Sequence, residues 1–282
     1  MNIGIFIDNT DTHWGPGRLA YNTIKAFEQN NINYKINEFY DYNLSISGNQ
    51  FHWKFFGHTV KNPIIGPCSF NDPTQCFDAF NLYPKFLVAS EWYKKNWVSY
   101  GVSENKIDSW FGGIDVDLFK PNKDVKYDCL IMLKSRSREQ LGVVQNILSK
   151  YNLTSIVLEY GLYNEDKFIN FVNSCKFGII LHNTETQGFA IMEALSMGLP
   201  MLVLDTNTWG DRFFDATSVP YFDETCGIKI HENDFNPENI ENKLIMLLNN
   251  IENYNPRDFI LNNYTFTHSV NLLRDVFTNV WG

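Results

Sequence analysis

Positive charge is scarce in this sequence. Its 282 residues hold 23 Lys and Arg against 32 Asp and Glu, a formal net charge of −9. Such a balance offers no broad basic face to a phosphate backbone, so no nucleic-acid partner is expected. The net count does not support a patch for anionic lipid either, and peripheral membrane contact is left to local clusters. Cysteine is equally sparse: Cys68, Cys76, Cys129, Cys175 and Cys226 are odd in number and form no CxxC pair. A disulfide framework or a zinc ribbon is therefore not expected, and buried thiols in a reducing compartment are. Long hydrophobic runs are missing as well. The opening MNIGIFIDNT lacks a basic segment and its apolar run is short for a signal peptide. No stretch approaches the roughly 20 apolar residues that span a bilayer, so a cytoplasmic protein without a transmembrane segment is expected. Six histidines are scattered, none with the HExxH spacing of a metal site. No tandem repeat or low-complexity tract occurs beyond a general richness in Asn.

What is present suits a packed α/β protein. Hydrophobic residues make up 44% of the chain and aromatic residues 16%, enough for a sizeable core and against disorder. Short apolar runs alternate with helical patterns. Ile3–Ile7, INYKINEFY, PIIGPC, FLVAS and KIDSWFGG read as strands, with helices at residues 19–29 and at EWYKKNWVSYG. The pattern breaks at GGIDVDLFKPNKDV and then restarts: YDCLIMLK, TSIVLEYG, FGIILH and PMLVLD as strands. Helices are predicted at SREQLGVVQNILSKY, NEDKFINFVNSC, FAIMEALSMG, ENIENKLIMLLNNI and HSVNLLRDVFTNVW. This alternation predicts two parallel α/β halves, residues 1–113 and 114–282, with the last helix a candidate to return to the first half. Two such halves are expected to form a cleft at the carboxyl ends of their sheets, where ligands bind in this architecture.

LHNTETQGFAIMEALSMGLP, residues 181–200, is the most informative segment. It follows a strand, turns at Gly188 and enters an amphipathic helix. The free N–H groups at that helix start, near Gly188, Phe189 and Ala190, form a site suited to an anion. Glu185 precedes the helix, and Glu193 follows Gly188 by five residues. At about 1.5 Å rise per residue this is roughly 7–8 Å along the axis, so both carboxylates can face one ligand. Ionised carboxylates accept hydrogen bonds and suit a ribose diol and sugar hydroxyls, while the helix start suits a diphosphate. Read without its context, the same pair is a solvated loop glutamate and a helix-surface glutamate placed by the helix dipole.

Glu185 and Glu193, seven residues apart around Gly188, resemble the paired-glutamate motif of glycosyltransferase family 4, also known as group 1 glycosyltransferases. FLVASEWYKKNWVSYGVSENKIDSWFGGIDVDLFKP is similar to the interdomain region of that family, and PRDFILNNYTFTHSVNLLRDVF to its C-terminal helical signature. The resemblance covers most of residues 85–275. It implies a GT-B fold of two Rossmann-like domains, and a retaining glycosyltransferase that binds a nucleoside diphosphate sugar mainly in the C-terminal half. Carried over, Glu193 holds the ribose and Glu185 contacts the donor sugar, with His182 a candidate sugar contact. The family neutralises the donor diphosphate with a basic pair after the first strand of the C-terminal half. Here LIMLKSRSRE offers Lys134 and Arg136, with Arg138 either assisting or facing solvent, and the family's usual Gly-Arg is absent. Cations fixed there stabilise the leaving diphosphate as its charge grows. The WGPGR loop, with Gly15, Gly17 and Arg18, resembles the family's glycine-rich loop, and a hinge at residues 112–115 is expected to close it over the donor. His52 and His58, in FHWKFFGH, are candidates to line the acceptor side. The donor is a substrate, no cofactor is implied, and no metal is expected because side chains and the helix start supply the positive charge. Asp115 and Asp117 form an Asp-x-Asp pair in the linker turn and read as structural.

Two other classes compete. Gly15, Gly17 and Ala20 satisfy a loose dinucleotide fingerprint with Glu38 downstream. Seven residues separate Ile7 from Gly15, however, and Pro16 stiffens the loop, so an NAD-dependent oxidoreductase fits poorly. A non-catalytic sugar-nucleotide binder, or a sugar-nucleotide 2-epimerase, shares the fold. The paired glutamates together with a basic cluster favour transfer of the sugar to a hydroxyl of a glycan-type acceptor. The acceptor, the donor base and the oligomeric state are left open.

Overall fold

A computed structural model describes residues 1–47, 60–70, 72–75, 77–209, 212–213 and 215–282. His52, His58 and Cys76 lie outside the described residues. The chain divides into two compact units, residues 1–113 with 264–282, and residues 114–263.

The first unit holds strands β1 (Asn2–Phe6), β2 (Asn33–Ile36), β3 (Tyr42–Ser47), β4 (Pro63–Cys68), β5 (Phe86–Val88) and β6 (Ile107–Ser109). They form one sheet in the order β2-β1-β3-β4-β5-β6, with every pairing parallel. Helix α1 (Gly15–Gln29) starts four residues before the predicted helix. Pro16 sits in its first turn, where a missing N–H removes no bond and the ring pre-sets the backbone. Its buried stripe includes Leu19, Ala20, Thr23, Ala26 and Phe27. Helix α2 (Glu91–Ser99) follows β5. The chain's last helix, α8 (Phe266–Trp281), lies against α1. Two hydrogen bonds fasten it there: Trp110 Nε1 donates to the Ser269 carbonyl at 3.1 Å, and Ser269 Oγ donates to the Phe111 carbonyl at 2.8 Å.

The second unit runs β7 (Tyr127–Lys134), α3 (Arg138–Lys150), β8 (Ser155–Glu159), α4 (Glu165–Asn173), β9 (Cys175–His182), α5 (Phe189–Ser196) and β10 (Met201–Asp205). It continues with a two-residue antiparallel pair, β11 (Thr208–Trp209) and β12 (Arg212–Phe213), then β13 (Gly227–His231), α6 (Pro237–Asn249) and α7 (Pro256–Asn263). Ser137 and Gln140 close a reciprocal capping box at the start of α3, and Asn164 caps α4. The main sheet is parallel throughout, in the order β13-β10-β9-β7-β8. Cys129, Ile131 and Leu133 of β7 pack with Phe177 and Ile179 of β9 and with Leu244 of α6 in its core. Near-continuous apolar strands such as CLIML are what a sheet covered on both faces requires.

The order carries functional weight. Strand β7 pairs with β8 on one side and β9 on the other, so the chain leaves it in opposite directions at the carboxyl ends. Ligands of doubly wound sheets bind at this switch point. Lys134, the last residue of β7, is in register with His182, the last of β9. Strands β3 and β13 were not foreseen from the sequence. β3 alternates polar and apolar residues yet is buried through Asn43, Ser45 and Ser47, whose polar groups are satisfied locally. β13 is a short edge strand.

Candidate functional site

At the switch point, Lys134, His182 and Glu185 meet. Lys134 Nζ donates to Glu185 Oε1 at 2.7 Å, and His182 Nδ1 lies 3.2 Å from the same oxygen. An ionised carboxylate only accepts, so in this contact Nδ1 carries the proton. Lys134 also sits 4.5 Å from the centre of the Tyr160 ring, a cation–π geometry. Tyr160 follows β8 and its amide donates to the Leu133 carbonyl, which places the ring beside the end of β7. The side chains of Lys134 and Glu185 are 29% and 13% exposed. Burial pushes the Glu185 carboxyl up, but the His182 hydrogen bond and the charge of Lys134 outweigh it and hold it below the ordinary range. The backbone of Glu185 is pinned by its amide, which donates to the Thr217 carbonyl at 3.0 Å.

Arg136 is placed differently. Its side chain is 7% exposed, with Nε donating to the His182 carbonyl at 2.8 Å and Nη1 to Glu232 Oε2 at 2.6 Å. Nη2 is buried without a hydrogen-bond partner among the described residues. Glu232 follows β13, and its other oxygen accepts from the Thr206 hydroxyl after β10. Burial raises the Glu232 carboxyl, while the Thr206 hydroxyl and Arg136 together bring it below its usual value. The structure thus puts Arg136 in a buried clamp spanning β7, β9, β10 and β13. Arg138 lies on the outer side, 66% exposed, and grips both oxygens of Glu159 at 2.6 Å. The turn that separates these three side chains contains Ser135 in the left-handed region, φ 60°.

Gly188 caps α5 with φ 76° and ψ 48°, a left-handed conformation that explains the glycine here. Its carbonyl accepts from the amides of Ile191 and Met192, so the helix ladder begins there. The amides of Phe189 and Ala190 precede the first internal donors and stand at the helix start. Glu193, 3% exposed, lies in the stretch 191–196, which is buried all round rather than along one face. Gln187 is also buried, and its Nε2 has no hydrogen-bond partner among the described residues.

In the first unit, Gly15 and Gly17 open α1 after the loop that follows β1. A Cβ on Gly17 would lie 1.9 Å from the Asp11 carbonyl oxygen, so its missing side chain is taken up by its own loop; around Gly15 the space is open. Arg18 is buried. Asp115 Oδ1 accepts the amides of Asp117 and Leu118 at 3.2 and 2.9 Å and so closes its own turn. Among the described residues no group of three or more His, Cys, Asp or Glu is arranged to hold a metal ion. Among them, too, no helix is long and apolar enough to cross a membrane.

Sequence reasoning missed Glu232, Thr206, Tyr160 and Gln187. The first two lie far from Arg136 in the chain, and no local pattern links them. It also missed what the PRDF segment does. Arg257 donates to the carbonyls of Ser196 at 2.6 Å and of Phe119 and Val116 at 3.2 Å, tying the end of α5 to the second unit's entry.

No protein-family model and no curated protein sequence matches the chain. Solved structures do. Sucrose-phosphate synthase from Thermosynechococcus elongatus is 9% identical with a TM-score of 0.64, over 99% of this chain and 100% of that one. HepE of Anabaena in complex with UDP is 11% identical with a TM-score of 0.63, over 99% and 100%. S. aureus TarM is 15% identical with a TM-score of 0.60, over 92% of this chain and 58% of its own. These neighbours are GT-B glycosyltransferases, and the chain has their α/β fold.

Proposed function

We propose that the chain is a glycosyltransferase that moves a sugar from a nucleoside diphosphate sugar to an acceptor hydroxyl, with retention of configuration and without a metal. One observation carries this reading. Lys134, His182 and Glu185 converge at the switch point where the Gly188-capped helix begins, and that helix bears the buried Glu193. The likeness to HepE, solved with UDP and with UDP-glucose, supports the same class of donor.

In this reading the ribose diol donates to Glu193, and the diphosphate lies between Lys134 and the amides of Phe189 and Ala190. The sugar hydroxyls meet Glu185 and His182. Arg136 does not touch the donor; held by Glu232, it fixes the carbonyl of His182 and so positions the end of β9. The acceptor oxygen bonds to the anomeric carbon on the face that the phosphate leaves, as the carbon–oxygen bond to the β-phosphate breaks. The acceptor proton passes to the departing phosphate oxygen, and the products are a glycoside and a nucleoside diphosphate. Lys134 and the helix start stabilise the charge that grows on the leaving group, and chelators are expected to leave donor binding unchanged.

The test is calorimetric titration of UDP-, GDP- and ADP-sugars and NAD(H) into wild type and Glu193→Ala. Losing a charged hydrogen bond to ribose costs roughly 1.5–3 kcal/mol, about a tenfold to hundredfold loss of affinity. One sugar nucleotide should bind and weaken by that factor in the variant. Binding of NAD(H) alone, or a variant that binds the donor as wild type does, defeats the proposal.

A further inference from the structure

The loop after β7 presents three cations, and each is already matched by a glutamate from another strand end. Lys134 is held by Glu185, Arg136 by Glu232 and Arg138 by Glu159. A diphosphate entering at Lys134 must therefore take the ammonium from a carboxylate that holds it. The three pairs differ in how readily they exchange. Arg136 is clamped through two nitrogens in a buried setting, and Arg138 faces outward with both oxygens of its partner engaged. Lys134 is partly exposed, makes one hydrogen bond to Glu185 and rests beside Tyr160. A compact ammonium on a flexible stem can swing to a phosphate while the backbone stays fixed.

We infer that the Lys134–Glu185 ion pair is a built-in competitor for the diphosphate, and that it sets the site's preference for the intact sugar nucleotide over the nucleoside diphosphate left after transfer. The inference rests on the donor reading above. When the sugar nucleotide binds, Lys134 moves to the phosphates and the sugar hydroxyls replace it as donors to Glu185. Lys134 then meets the phosphate charge, and Glu185 keeps hydrogen-bond donors from the sugar and from His182. When the bare nucleoside diphosphate binds, Lys134 is drawn away, and Glu185 keeps its contact with His182 but exchanges a full positive charge for no donor from the ligand. That carboxylate is largely buried, and burial disfavours its charge. Recapture of Lys134 by Glu185 then favours release of the spent nucleotide, a step that limits turnover in many enzymes that close on their substrates. Glu185 thereby acts twice, as the sugar's acceptor before transfer and as the diphosphate's rival after it.

The sign of the effect is opposite to the simple expectation for a binding-site glutamate. UDP, GDP and ADP, without sugar, are titrated by calorimetry into wild type, Glu185→Gln, Lys134→Met and the double variant. Removing the rival charge should tighten the nucleoside diphosphate that binds by about three- to tenfold, the scale of a partly exposed ion pair. The same substitution made on Lys134→Met should leave affinity unchanged, because no ammonium remains to be competed for. Glu185→Ala must give the same sign as Glu185→Gln, with thermal melting of each variant confirming that it is folded. If wild type binds one of the three and Glu185→Gln binds it equally or more weakly, the competition is refuted; a gain that persists on Lys134→Met refutes it equally. If wild type binds none of them, the donor reading itself fails, and this inference falls with it.

Discussion

Removing Glu232 should loosen the floor of the site without touching a ligand. Its carboxylate is 2.6 Å from Arg136 Nη1, and the guanidinium is 7% exposed against 24% for the glutamate side chain. Charge centres roughly 4 Å apart attract by about 4 kcal/mol at an effective dielectric of 20, a gross figure from which desolvation must be subtracted. Truncating one member of a fully buried pair costs about 3–5 kcal/mol, chiefly because the partner charge is stranded. Water reaching the half-open side of Glu232 lowers that here, and about 2–3 kcal/mol is expected for Glu232→Ala. Adding Arg136→Met should recover part of the loss, because the stranded charge is then gone and the apolar stem still fills its place. The two units need not unfold together, so a global melt is the wrong readout. Native-state hydrogen exchange of the β9 and β13 amides reports opening of this unit alone. A shift below about 0.5 kcal/mol in Glu232→Ala, or a double variant no more protected than the single, refutes the view of Arg136 as a buried clamp.

Two further outcomes follow from the same geometry. Glu185 and Glu232 are held below the ordinary glutamate value of 4.5, so each adds stability that is complete above about pH 4.5. That contribution is lost as pH falls through the lowered folded value, because the unfolded chain takes up its protons first. The stability of the second unit, read from the exchange of its β9 and β13 amides, should fall in wild type as pH drops below about 4.5, and more shallowly in Glu185→Gln; parallel slopes would count against the assignment. In the first unit, Gly17→Ala puts a Cβ 1.9 Å from the Asp11 carbonyl, whereas Gly15→Ala meets open space. Gly17→Ala should therefore destabilise by about 1–3 kcal/mol, as overpacking does, and Gly15→Ala should stay within about 0.5 kcal/mol in urea titrations. Equal effects at the two glycines would show that the loop lacks this contact.

Much of this protein was legible one segment at a time. Apolar runs such as CLIML and FGIIL read as buried strands and FAIMEALS as an amphipathic helix; the structure instead buries residues 191–196 all round, as a helix covered on every side requires. Gly188 marked the turn from β9 into α5, and the placing of Glu193 roughly 7–8 Å along the axis from that turn followed from helix rise. These features depend on neighbours a few residues apart, so periodicity and turn chemistry encode them directly. Tertiary structure decided the rest. The order β13-β10-β9-β7-β8 brings Lys134 level with His182 and creates the switch point, and strand order is set by which surfaces bury each other across the whole unit. Arg136 reads as a phosphate ligand in LKSRSRE; its bond to Glu232, 96 positions away, is visible only in the folded chain. The last helix joins the first unit because Trp110 and Phe111 hold Ser269 across more than 150 positions. An ion pair or a strand partner so distant leaves no trace in local spacing, because only the folded chain brings the two ends together.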